Sequence, residues 1–308
     1  MKQAIDRLIE KIEQTQNPTV IGLDPRTEMI PDCIKNKYED NFEGISKAII
    51  EYNKKIIDEV YDIIPAVKPQ IAFYEMYGIP GMEAFKQTCE YAKEKGMIVI
   101  VDAKRGDIGT TAAGYSNAFL GKTKLKNKEE SVFDGDFITV NPYMGTDTIA
   151  PFLEDCKKYN KGIFVLVKTS NKSSGDLQDL ELKNGKKVYE EVAELVKKWG
   201  QDYIGESGYS DVAVVVGATY PEQLKEIRKI IPNSYFLIPG YGAQGGKAKD
   251  IALAFENGLG GIVNASRSLM CAYKSEIWKD KFSEEDFAKA TRAEAIRMKN
   301  ELCDAISE

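Results

Sequence analysis

The chain has 308 residues, 43% of them hydrophobic and 29% charged, with 25 Gly and 11 Pro, the mixture of a soluble globular protein able to bury a sizeable core. It contains no histidine, which excludes Ser-His-Asp and Cys-His catalysis and every imidazole metal site, and leaves any chemistry to Asp, Glu, Lys, Arg and hydroxyls. Lys plus Arg is 42 and Asp plus Glu is 48, so the net charge of −6 argues against a nucleic-acid-coating or polybasic membrane surface, while a small phosphorylated ligand needs only a few local donors.

From the N-terminus, Met1 to Glu10 interleaves charges with apolar positions at helical spacing and lacks the uninterrupted core of a signal peptide. Short β-branched runs then recur at Thr19–Leu23, Ala66–Lys68, Met97–Val101, Phe137–Val140, Ile163–Val167, Val212–Val216, Tyr235–Ile238 and Gly261–Val263. Between them lie amphipathic helical patterns, such as Ile45, Ala48, Ile49, Tyr52, Ile56 and Val60, or Val188, Val192, Leu195 and Val196. Near-continuous apolar strands alternating with such helices predict a parallel sheet covered by helices. A count of eight favours closure into a (β/α)8 TIM barrel of the α/β class, with a doubly wound open sheet as the alternative.

No composition shift or repeat divides the chain, so residues 1–308 read as a single barrel domain. The polar stretches 121–136 and 170–187 are too long for connectors and read as excursions, the second either a mobile lid or a passive surface loop. Five cysteines, odd in number and without C-x-x-C, fit packing roles in a reducing compartment. With no apolar run near membrane-spanning length, the expected location is cytoplasmic, with no membrane or nucleic-acid partner.

In such a barrel the C-terminal strand ends carry the active site. The first strand ends in Asp24, the second in Lys68 and the third in Asp102-Ala103-Lys104. Residues two apart on an extended segment leave on one face, with Cα atoms about 6.5 Å apart, so Asp102 and Lys104 can reach one ligand. These four charges converge at one rim of the mouth. A second cluster follows strands seven and eight, where barrels often bind phosphate. It comprises Gly240-Tyr241-Gly242-Ala243-Gln244-Gly245-Gly246 and Asn264-Ala265-Ser266-Arg267-Ser268. Glycines let backbone N–H groups approach an anion, and Arg267 can add a bidentate contact.

The run Asp102-Ala103-Lys104-Arg105-Gly106-Asp107-Ile108, followed by Thr111, resembles the D-x-K-x-x-D-I motif of the orotidine 5′-monophosphate decarboxylases. The resemblance extends to Ile21-Gly22-Leu23-Asp24, Val67-Lys68-Pro69, Pro239-Gly240 through Gly246, and Ser266-Arg267-Ser268, in family order from 24 to 267. Length and excursions are similar to the longer bacterial subgroup. Where compact members often place His beside the second-strand lysine, this chain reads Lys68-Pro69-Gln70.

The resemblance implies a carboxy-lyase of de novo pyrimidine biosynthesis, converting orotidine 5′-monophosphate to uridine 5′-monophosphate and carbon dioxide without cofactor or metal. It gives catalytic roles to Lys104, which faces the carbanion at C6 and then protonates it, to Asp102 near the departing carboxylate, to Lys68 holding Asp102, and to Asp107 entering from the second subunit of a homodimer with shared sites. By the same carry-over Asp24 and Thr111 contact the ribose, Thr111 across the interface. Ser170, or Thr169 in its place, reads the pyrimidine edge, while Gln244, Arg267 and the Ser266 backbone N–H grip the phosphate. Asn141 and Tyr241 are plausible liners without an assigned role. Two other readings stand beside this one: a phosphate-binding barrel decarboxylase or epimerase acting on a sugar phosphate through a metal-bound enediolate, and an inert nucleotide-binding barrel.

Overall fold

The computed structural model describes residues 2–241 and 246–307. Eight parallel strands form a closed barrel: β1 (Thr19–Leu23), β2 (Ala66–Pro69), β3 (Ile98–Arg105), β4 (Phe137–Val140), β5 (Gly162–Lys168), β6 (Ser210–Val216), β7 (Ser234–Ile238) and β8 (Gly261–Ala265). Each strand pairs with its sequence neighbours, and β1 closes on β8 through Thr19↔Val263, Val20↔Asn264 and Ile21↔Ala265. The (β/α)8 expectation therefore holds over the open sheet.

Several strands extend past their apolar runs. β3 continues through Asp102 and Lys104 to Arg105, β6 begins at Ser210-Asp211, and β8 takes in Asn264. Polar residues at these strand ends broke the hydrophobic pattern, and the ladder shifts register at two of them, between Val101 and Arg105 and between Ser210 and Val214. The helical patterns correspond to helices over Phe42–Val60 and Val188–Gly200.

The apolar side chains sort into two cores. Outside the barrel, strands and surrounding helices bury one continuous layer. Inside, Val20, Ala66, Ile98, Phe137, Phe164, Ala213, Tyr235 and Ile262 pack with Ile5, Leu8, Ile9 and Ile12 of helix α1 (Ala4–Thr15). The N-terminal helix thus plugs the end of the barrel opposite the C-terminal strand ends. Its polar ties are specific: Asp211 Oδ1 accepts the Ile5 N–H at 2.8 Å, Asp6 accepts the Glu206 and Ser207 N–H groups, and Arg7 pairs with Asp136 at 2.6 Å. Burial pushes the Asp211 carboxyl up to about 7, reinforced by the neighbouring Asp6 charge and opposed by the Ile5 N–H.

Both excursions are structured. The segment 121–136 carries a short antiparallel pairing of Thr123–Lys124 with Glu129–Glu130, and its Phe133 ring stacks on Phe119 at 5.1 Å. The segment 170–187 carries a 3-10 turn (Lys172–Ser174), a one-turn helix (Gly175–Gln178) and a Glu181↔Lys187 bridge. All five cysteines are free thiols, with Cys89 and Cys156 buried as packing residues.

Candidate active site

At the C-terminal mouth a cavity of about 380 Å³ is lined by Asp24, Lys68, Asp102 and Lys104 on one side and by Thr169, Ser170, Asn171 and Asn264 on others. Leu166, Val215 and Leu237 are also among its lining residues. This volume lies in the range of small-molecule sites.

The charges are directly coupled. Lys68 Nζ lies 2.6 Å from Asp102 Oδ2, and Lys104 Nζ lies 2.6 Å from Asp102 Oδ1. Lys68 and Asp102 are buried, while Lys104 reaches into the open cavity. Burial by itself drives the Asp102 carboxyl up, but the ammonium groups of Lys68 and Lys104 outweigh it and hold the carboxyl far below the usual carboxylate range. For Lys68, burial lowers the ammonium, and the charges of Asp102 and Asp24 more than compensate, so it is raised. Lys68 and Asp102 are thus both held in their ionised forms although buried.

The backbone that achieves this is not the regular extended strand expected from the spacing. The β3–β4 register shifts between Val101 and Arg105, and Lys104 sits in the left-handed region at φ 48°. For a non-glycine residue this costs about 1 kcal/mol or more and persists only where surrounding contacts enforce it. The enforcing group is Thr139 on β4: its hydroxyl accepts the N–H groups of Ala103 (3.0 Å) and Lys104 (2.9 Å) and donates to Asp102 Oδ1 (3.0 Å). Sequence reasoning passed over Thr139. The available signal was one hydroxyl in the otherwise apolar Phe137-Ile138-Thr139-Val140 run.

Asp24 Oδ1, Asn264 Oδ1 and Ser266 Oγ are buried and make no hydrogen bond among the described residues. Gly22 makes room for the latter two, since a Cβ there would collide with Ser266 Oγ and crowd Asn264. Asn264, which the sequence placed in the second cluster without a role of its own, lines the same cavity as the charged array.

Other expected residues lie elsewhere. Arg267 opens the short helix Arg267–Met270, whose Leu269 and Met270 take the buried face, so Arg267 is exposed and lines a separate cavity of about 550 Å³ with Arg26 and Lys274. Asp107 and Thr111 are outside the main cavity: Asp107 Oδ1 accepts the Ile108 N–H at 2.8 Å, and Thr111 is exposed. Asn141 and Tyr241 are not among the lining residues; Tyr241 is buried and turns its hydroxyl to Glu301 at 2.7 Å. Gln244 lies outside the described residues. Among the described residues no group of three or more His, Cys, Asp or Glu side chains could hold a metal ion.

A closed parallel barrel with a lysine–aspartate–lysine array at its C-terminal mouth has the architecture of a TIM-barrel enzyme, with charged side chains where such barrels hold their active sites. The profile of the orotidine 5′-phosphate decarboxylase / HUMPS family matches residues 18–276, and the chain belongs to that family. It is 45% identical over 307 residues to an orotidine 5′-phosphate decarboxylase of Caldicellulosiruptor bescii, covering 98% of each chain. It is 44% identical over 303 residues to that of Clostridium tetani, covering 98% of this chain and 99% of the relative. The structure of Leishmania donovani OMP decarboxylase superimposes with a TM-score of 0.70 at 29% identity, covering 97% of this chain and 99% of that one.

Proposed function

We propose that this chain decarboxylates orotidine 5′-phosphate, releasing carbon dioxide and uridine 5′-phosphate, in pyrimidine biosynthesis. The observation that carries the reading is the Lys68–Asp102–Lys104 array, because it supplies what the reaction needs at the atoms where charge changes. With the C6 carboxylate beside Asp102, the C6–carboxylate bond breaks, carbon dioxide leaves, and the electron pair remains on C6. The Lys104 ammonium, already positioned and charged, stabilises that pair and then donates the proton that replaces the carboxylate. Lys68 neutralises Asp102 from behind and fixes its orientation. The chain's own lysine thus does the work for which other decarboxylases recruit a metal or an electron sink.

Asp24, with an unpaired buried oxygen, binds the ribose, and Ser170 reads the pyrimidine edge. Gln244, Arg267 and the Ser266 backbone hold the phosphate, with Arg267 drawn in from the neighbouring cavity. Asp107 and Thr111 serve the site of a second subunit in a homodimer. That assignment is supported by their position outside their own cavity and by the exposed apolar side chains on the segments that follow β2, β3 and β4: Met76, Ile79, Ile108, Tyr143 and Met144. The whole chain acts as one barrel domain, and the protein works in the cytoplasm; among the described residues no helix is long and apolar enough to cross a membrane.

The test is direct. Purified protein mixed with orotidine 5′-phosphate in excess chelator should bleach the orotate absorbance. No loss at any enzyme concentration sinks the assignment, and loss restored only by a divalent metal favours the enediolate-forming alternative.

A further inference from the structure

Lys168 is the last residue of β5, and its side chain is fully buried. The β5–β6 register shifts between Leu166 and Lys168, so the strand bulges at its end. Leu166 faces the cavity, whereas Lys168 passes beneath the segment that follows. There its Nζ meets both carboxylate oxygens of Asp179, at 2.8 and 2.9 Å, and Ser174 Oγ at 3.3 Å, with the rings of Tyr220 and Tyr189 centred 5.1 and 5.7 Å away. A buried ammonium is tolerated only with such a partner, so the lysine fixes Asp179 as firmly as Asp179 fixes the lysine.

The neighbouring residue carries this constraint back to the cavity. Gln178 Oε1 accepts the Thr169 N–H at 3.0 Å, and Gln178 Nε2 donates to Thr169 Oγ1 at 2.8 Å. The Thr169 hydroxyl in turn donates to Asn171 Oδ1 at 2.6 Å. From the other side Gly217, at the end of β6, lets Ser170 come close: a Cβ at 217 would stand 2.8 Å from Ser170 Cβ and 2.9 Å from its backbone nitrogen. Thr169, Ser170 and Asn171, which directly follow β5, line the cavity beside Leu166 of the strand itself.

We propose that Lys168 and Asp179 are positioning residues: the ion pair of the buried lysine with the partly exposed aspartate, transmitted through Gln178 and Thr169 and backed by Gly217, sets Ser170 and Asn171 against the base of the bound nucleotide. This rests on the reading that the cavity binds a pyrimidine nucleotide. Neither residue touches substrate. Their loss acts on recognition of the base and leaves the ribose-phosphate end alone.

The experiment compares wild type with Lys168→Met, which removes the buried ammonium and leaves the partly exposed Asp179 carboxylate open to solvent, Lys168→Arg, and the more accessible Gln178→Ala. It measures kcat and KM for orotidine 5′-phosphate, inhibition by uridine 5′-phosphate and by ribose 5-phosphate, and the melting temperature. For Lys168→Met and Gln178→Ala, kcat/KM should fall about tenfold or more, equivalent to about 1.4 kcal/mol, with uridine 5′-phosphate binding weakened in parallel and ribose 5-phosphate inhibition unchanged. Lys168→Arg should recover most of the loss. If Lys168→Met fails to fold, Gln178→Ala decides alone. Unchanged kcat/KM in a folded variant overturns the proposal, as does equal weakening of both inhibitors, which marks a purely structural pair. A wild-type protein that does not turn over the nucleotide but binds uridine 5′-phosphate refutes the decarboxylase reading and leaves the positioning claim to the inhibitor comparison.

Discussion

The Lys104 amide donates to the Thr139 hydroxyl at 2.9 Å, and that contact holds the lysine in a left-handed backbone conformation. Thr139→Val keeps the shape and removes the hydroxyl, leaving the Ala103 and Lys104 N–H groups without their acceptor at a cost of about 1–3 kcal/mol. The bulge should relax and shift the ammonium from its place. We expect kcat to fall about 10- to 100-fold with a much smaller change in uridine 5′-phosphate affinity. Steady-state kinetics beside a product-binding titration separate the two; an unchanged kcat shows that Thr139 does not set the lysine's position.

Lys104→Ala removes the charge that acts on the carbanion. Turnover should drop at least about 10³-fold while the product's dissociation constant stays within a few-fold of wild type, because the lost interaction forms in the transition state. Arg267→Ala should raise KM and lower kcat together, since phosphate binding energy aligns the reacting end. Wild-type kinetics for Arg267→Ala place the phosphate elsewhere.

Much of this was legible in the sequence because β-branched runs and strand-end charges report directly on barrel architecture. Asp24, Lys68, Asp102, Lys104 and Ser170 all line one cavity. What escaped were features that depend on neighbouring strands rather than on local pattern. The Lys104 bulge needs a hydroxyl from β4, the fit of Ser266 needs a glycine on β1, and the burial of Lys168 needs a carboxylate from an excursion. Arg267 illustrates the same limit: its chain position fits a phosphate site, but the turn of a short helix aims the side chain outward.

Stability should depend on pH through Asp211. Its carboxyl titrates near 7 when folded and near 4 when unfolded, so between those values the folded state holds a proton the unfolded state has lost. Stability from this group is complete below about pH 4 and falls as pH rises to 7, by up to about 4 kcal/mol. Asp211→Asn keeps an oxygen to accept the Ile5 N–H and cannot ionise. The variant should melt higher than wild type at pH 8 and close to it at pH 4. Equal shifts at both values contradict the titration.

Lys104 and Asp107 are three residues apart, yet the first lines the cavity and the second does not. If Asp107 serves the partner's site, a dimer of one Lys104→Ala chain and one Asp107→Ala chain has one site carrying both lesions and one carrying neither. Each parent homodimer has a lesion in every site and should be inactive or nearly so. Random exchange makes about half the dimers mixed, with half their sites intact, so activity should recover to about a quarter of wild type. Differently tagged chains confirm that mixed dimers formed. If exchange is complete and activity stays at the parental level, both residues act within one subunit, and the loop after β3 must then turn Asp107 inward when substrate binds.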